Sequence, residues 1–84
     1  MNYNVIVEVT LREGIADPEG ATIERALPAL GFSGIRRVHA GKSFRFEVEA
    51  SDEATALELA NALGGRLLSN PVIENAVARL AANG

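Results

Sequence analysis

The chain has 84 residues, 48% of them hydrophobic, with 8 Lys+Arg against 11 Asp+Glu and a net charge of −3, which describes one small domain spanning 1–84. A compact chain of this mass buries roughly 63% of its unfolded surface and keeps about 4,800 Å² accessible, so the core is thin and an enclosed pocket has little room. The acidic balance argues against generic attraction to nucleic acid or anionic membrane. The absence of cysteine removes disulfides, thiolate metal sites and thiol nucleophiles together.

Tyr3, Val5, Val7, Val9 and Leu11 alternate with Asn4, Ile6, Glu8 and Thr10, the period-two pattern of a half-buried strand. Glu13-Gly14 ends that pattern, and Asp17-Pro18-Glu19 opens a helix: Asp17 can accept from orphan N–H groups, and Pro18 sits where a missing N–H costs nothing. The spacing predicts a helix to about Leu30 with an inward stripe of Ile23, Ala26, Leu27 and Leu30. Gly31 suits the left-handed position beyond it, and Pro28 bends or loosens its last turn. From Ile35 to Ala50 the pattern predicts two strands turning near Ala40-Gly41-Lys42, because Phe44, Phe46 and Val48 alternate with Arg45, Glu47 and Glu49. Ser51-Asp52-Glu53 opens a second helix carrying Leu57, Ala60, Leu63 and Leu67, with Gly64-Gly65 as a stop or kink. Asn70-Pro71 forces a turn, and Val72 to Leu80 fits a strand or a helix equally well.

With a strand taken for the tail, the order is β-α-β-β-α-β. This is an α+β, ferredoxin-like arrangement with an antiparallel sheet and two helices on one face. That fold hosts enzymes, regulators and RNA binders alike. No apolar run approaches the roughly 18 residues that cross a bilayer, and the first residues lack the order of a signal peptide, so the expected location is the cytoplasm.

Few residues offer chemistry. His39 is the single histidine, which excludes a multi-histidine metal site, and no serine stands in a Gly-x-Ser-x-Gly turn. Glu47 and Glu49 share a strand face opposite the phenylalanines and read as a solvated or interface face. No Gly-rich phosphate cradle is present, so no nucleotide or other cofactor is expected on this chain. The stretch from Arg36 and Arg37 to Phe46 is locally basic and faintly like an RNA-recognition strand, but Glu47 and Glu49 beside it repel phosphates. Ile6 on the open sheet face favours pairing with a second copy.

Three segments, Glu13-Gly14-Ile15-Ala16-Asp17-Pro18-Glu19-Gly20, Gly41-Lys42 and Leu67-Leu68-Ser69-Asn70-Pro71-Val72-Ile73-Glu74, stand in this order with Ala26-Leu27 and Leu30-Gly31-Phe32 between the first two. Together they resemble the PurS family, small subunits of phosphoribosylformylglycinamidine synthase, over essentially the whole chain. Ala40 stands where a valine is usual in that pattern, and Ala76 where an aromatic is common. The resemblance implies a cytoplasmic, non-catalytic subunit of purine biosynthesis, bridging a PurL synthetase and a PurQ glutaminase so that ammonia passes between them. ATP and magnesium would belong to the synthetase. It implies structural roles for Gly14, Asp17, Pro18, Gly20, Gly31, Gly41 (turning a hairpin) and Pro71, and partner contacts for Lys42, Glu74, Asn70, Arg36 and Arg37. A homodimer or larger is expected, with no nucleic acid or membrane partner. The competing expectation is a stand-alone regulatory, ligand-binding or RNA-binding ferredoxin-like module.

Overall fold

The computed structural model describes residues 1–81. Strands β1 (Asn2–Leu11), β2 (Gly41–Glu49) and β3 (Glu74–Leu80) form an antiparallel sheet in the order β2-β1-β3. Helices α1 (Pro18–Ala26) and α2 (Glu53–Leu63) occupy the two crossovers. The α+β, ferredoxin-like arrangement holds, with three strands among the described residues instead of four.

The central strand follows its alternation. Val5, Val7 and Val9 are fully buried with Ala60 of α2, and Tyr3, Phe44, Phe46, Val48, Ala76, Ala78 and Leu80 pack around them on the same face. The opposite face is more polar than Ile6 suggests. Ile6 lies between Arg45 of β2 and Arg79 of β3 in register, and it is 4% exposed, as expected where arginine stems lie over an apolar neighbour. Arg79 also pairs with Glu8 at 2.8 Å.

Three expectations fail, each for a local reason. The first helix ends at Ala26, short of Leu30, because Pro28 has no N–H to continue the ladder; a 3₁₀ turn over Pro28–Leu30 comes next, closed by Gly31 at φ 88°. Its stripe is not inward: Ile23 and Leu30 are 44% and 69% exposed, and no α1 side chain joins the core. The segment 35–40 is not a strand, so Gly41 turns no hairpin. It begins β2 opposite Thr10, and a Cβ there would lie 2.7 Å from the Val9 carbonyl oxygen.

The second helix starts as expected, with Asp52 accepting from Thr55 N–H at 2.8 Å, but buries a ridge of Ala56, Ala60 and Gly64. At Gly64 it widens into a π turn running to Leu68. One added residue per turn rotates the positions beyond it, so Leu68 packs against the core and Leu67 is left 74% exposed. A Cβ on Gly64 would lie 3.1 Å from that of Ala76, which explains a small residue at position 76. The tail is a strand as far as Leu80; the end of the segment 72–84 lies outside the described residues.

The chain is spread out for its size. Its radius of gyration is 16.0 Å, against about 12 Å for a compact chain of this length. Its accessible surface is 6251 Å², well above the compact value.

Candidate functional site

The three motif segments converge at one end of the sheet. Lys42 lies opposite Val9 on one side of β1, and Glu74 lies opposite Leu11 on the other, so both reach over the end of the core face. Their charged groups are 4.0 Å apart. Asp17 and Pro18, at the start of α1, complete a groove of about 230 Å³ with Leu11 and Gly41.

Each wall is held by main-chain hydrogen bonds. Asn70 Oδ1 accepts from Val72 N–H at 3.1 Å and Glu74 Oε1 accepts from Asn70 N–H at 2.7 Å, so the turn through Pro71 is closed by side chains at both ends. Arg12 Nε donates to the Pro71 carbonyl at 3.0 Å and ties that turn to the end of β1. Glu74 thus combines a structural bond through one oxygen with an ion pair through the other.

Asp17 joins the helix to the segment before β2. Its Oδ1 accepts from Gly20 N–H at 2.9 Å and its Oδ2 from Ala40 N–H at 2.9 Å. The Gly20 and Ala40 N–H groups hold the Asp17 carboxyl below the usual carboxylate range; partial burial opposes them, and His39 nearby adds a smaller lowering. His39 Nδ1 stands 3.8 Å from Asp17 Oδ2 with its ring 75% exposed. Gly20 is buried because the Val38 carbonyl and the Asp17 carboxylate occupy the space that a Cβ would take.

Two turns further along α1, Glu24 Oε1 accepts from Val38 N–H at 2.9 Å. Alternate amides of the 38–40 segment, which a neighbouring strand would have taken, therefore end on carboxylates of α1. Sequence reasoning missed Glu24 and Arg12; the one signal for Glu24 is its seven-residue spacing from Asp17, which places both on one helix face.

Of the predicted residues, the structure brings together Asp17, Pro18, Gly41, Lys42 and Glu74, with Asn70 joined through Glu74. Arg37, at φ 56°, stands apart beside Glu24 and Arg25 in a second, shallower groove, and Arg36 lines neither. Among the described residues no cluster of His, Asp or Glu is arranged to hold a metal ion, and no helix is long and apolar enough to cross a membrane. The groove is small and open, lined by the carboxylates of Asp17, Glu19 and Glu74 and the Lys42 ammonium among apolar side chains.

A family model described as PurS: Phosphoribosylformylglycinamidine (FGAM) synthase matches residues 4–82. The phosphoribosylformylglycinamidine synthase subunit PurS of Synechocystis is 39% identical over 74 residues, 88% of this chain and 74% of that protein. The crystal structure of the purS subunit from Thermotoga maritima superposes with a TM-score of 0.88 at 32% identity, over 96% of this chain and 93% of that one. A chain from the structure of PurLQS of the same organism gives 0.87 at 32% identity, over 96% and 99%.

Proposed function

The chain belongs to the PurS family of phosphoribosylformylglycinamidine synthase subunits, and from that premise we propose that it is the non-catalytic bridge between a PurL synthetase and a PurQ glutaminase. The assembled enzyme would convert formylglycinamide ribonucleotide, glutamine and ATP to formylglycinamidine ribonucleotide in the cytoplasm. ATP and magnesium would be held by the synthetase. The observation that carries this reading is the first helix standing away from its own sheet. Ile15, Ile23, Leu30, Phe32 and Ile35 on and around it are 39–69% exposed, a contiguous stretch of chain whose apolar side chains need protein contact to leave water. Two copies of this chain would assemble in that complex, since the extended shape leaves much surface to cover. Lys42, Glu74 and Asn70 at the groove, and Arg36 and Arg37 on the arm formed by α1 and the chain from it to residue 40, are the proposed contacts with the larger subunits.

The test compares rates with glutamine and with ammonium salts, for the complex with and without this chain. Loss of the glutamine-dependent rate alone fits a bridge that couples ammonia delivery. Equal loss of both rates would place the chain's role in the synthetase site itself, and no loss of either would end the proposal.

A further inference from the structure

The second groove, of about 460 Å³, lies between α1 and the chain at 37–39. It belongs to the arm and not to the sheet, since no Cα of α1 comes within 8 Å of one in the strands or α2. Its apolar lining is Ile15, Ala21 and Val38, and its guanidinium groups are those of Arg25 and Arg37. Asp17 and Glu24 line it too, but they are engaged with the main chain: Asp17 accepts from Gly20 and Ala40 N–H, and Glu24 from Val38 N–H. Among the described residues neither arginine has an ion-pair partner. Arg25 makes one side-chain bond, from Nη2 to Thr22 Oγ1 at 3.3 Å. A guanidinium carries five N–H donors, so two donor forks stand almost unused in one groove. Position 37 is itself unusual, because its φ of 56° is left-handed, a conformation that Gly31 and Gly34 reach as glycines and that residues with a Cβ adopt rarely. With the chain turned this way it is Arg37, and not Arg36, that lines the groove.

We propose that this groove receives an acidic side chain of one of the larger subunits, carried on an otherwise apolar segment, with its carboxylate held by Arg25 and Arg37. This deepens the bridging reading above and rests on it. The fork of a guanidinium matches a carboxylate with two parallel N–H···O bonds. The apolar lining, and Ile23, Phe32 and Ile35 exposed on the same arm, call for apolar neighbours beside that acid. Such a segment excludes water as it settles, and a charge pair formed out of water selects its partner more sharply than one at a wet rim. A basic segment would meet the two arginines, with the carboxylates of the groove already bonded to amides. A free phosphate would use the arginines but leave the apolar lining in water.

The experiment titrates the full chain into the synthetase and glutaminase together and reads the affinity for wild type, R25E, R37E, R37G and R66E, with a thermal melt of each chain alone. Arg66 is exposed on the π turn, so R66E makes the same change of charge away from the groove. R25E and R37E should each weaken binding by about tenfold or more, and R66E by under about threefold. R37G removes the side chain at a backbone conformation that glycine adopts freely, so it should weaken binding without lowering Tm. Reversals at 25 and 37 that bind no worse than R66E overturn the groove and leave the bridge intact, whereas a wild-type chain that does not bind the pair overturns the bridge and the groove with it. Two further readouts use the chain alone, and neither effect is expected. A saturable shift of the Val38 amide with inorganic phosphate, abolished in R37G, would assign the groove to a small anion. Self-association weakened by R25E and R37E in sedimentation would assign it to a second copy. Either result overturns the proposal.

Discussion

Glu24 holds the Val38 amide at 2.9 Å from a position seven residues along α1 from Asp17, which does the same for Ala40. This pair of carboxylates decides that residues 38–40 follow the helix instead of joining the sheet.

Removing Glu24 should therefore loosen the arm without melting the sheet. Glu24→Ala leaves the half-buried Val38 N–H without its acceptor, at a cost of about 1 kcal/mol, whereas Glu24→Gln keeps an oxygen in place. Amide exchange is the measurement: in the alanine variant Val38 should lose protection while Val7 in the central strand keeps it.

Gly20→Ala should destabilise, although alanine ordinarily favours a helix over glycine by about 1 kcal/mol. The added Cβ meets the Val38 carbonyl and the Asp17 carboxylate, and overpacking of this kind costs about 1–3 kcal/mol. Thermal melts at fixed protein concentration give the sign directly; an increase in Tm would contradict the close approach.

Acid should weaken the fold through the two helix-capping carboxyls. Asp17 is held low by Gly20 and Ala40 N–H, and Asp52 by the Thr55 hydroxyl and N–H. Both folded values lie below the unfolded one of about 3.9. Their stabilisation is therefore present above that pH and is lost as pH falls through the folded values. Urea denaturation between pH 6 and pH 3 should show this decline, and Asp17→Asn should flatten it, since a neutral side chain has no proton to take up there.

Lys42→Glu should separate folding from assembly. The Lys42 side chain is 62% exposed and its ammonium lies 4.0 Å from Glu74, so its loss should change the stability of the isolated chain by under about 1 kcal/mol. A desolvated contact with a larger subunit would lose far more on charge reversal. Co-purification with the synthetase and glutaminase, beside a melt of the chain alone, distinguishes the two.

Legibility in the sequence is limited to features that depend on near neighbours. The alternation of β1, the Asp17-Pro18 and Asp52 helix starts and the left-handed conformation of Gly31 all rest on contacts within a few residues, and all stand. The 35–40 segment reads as a strand and is not one, because its amides are satisfied by side chains 14 and 23 residues earlier, which no period within the segment reveals. The face of α2 departs from its spacing past Gly64 because a π turn resets the phase of every later residue. At the site, motif alone singles out Lys42 and Glu74. That they face each other across β1 comes from the sheet order, which residue spacing does not contain.

Asn61 gives the two rims of the sheet unequal standing. An open strand edge is a template on which another chain can pair, and on the β3 rim the Ala78 N–H already donates to Asn61 Oδ1 of α2 at 3.0 Å. An amide side chain on a surface helix thus shields the middle of that rim from edge-to-edge aggregation.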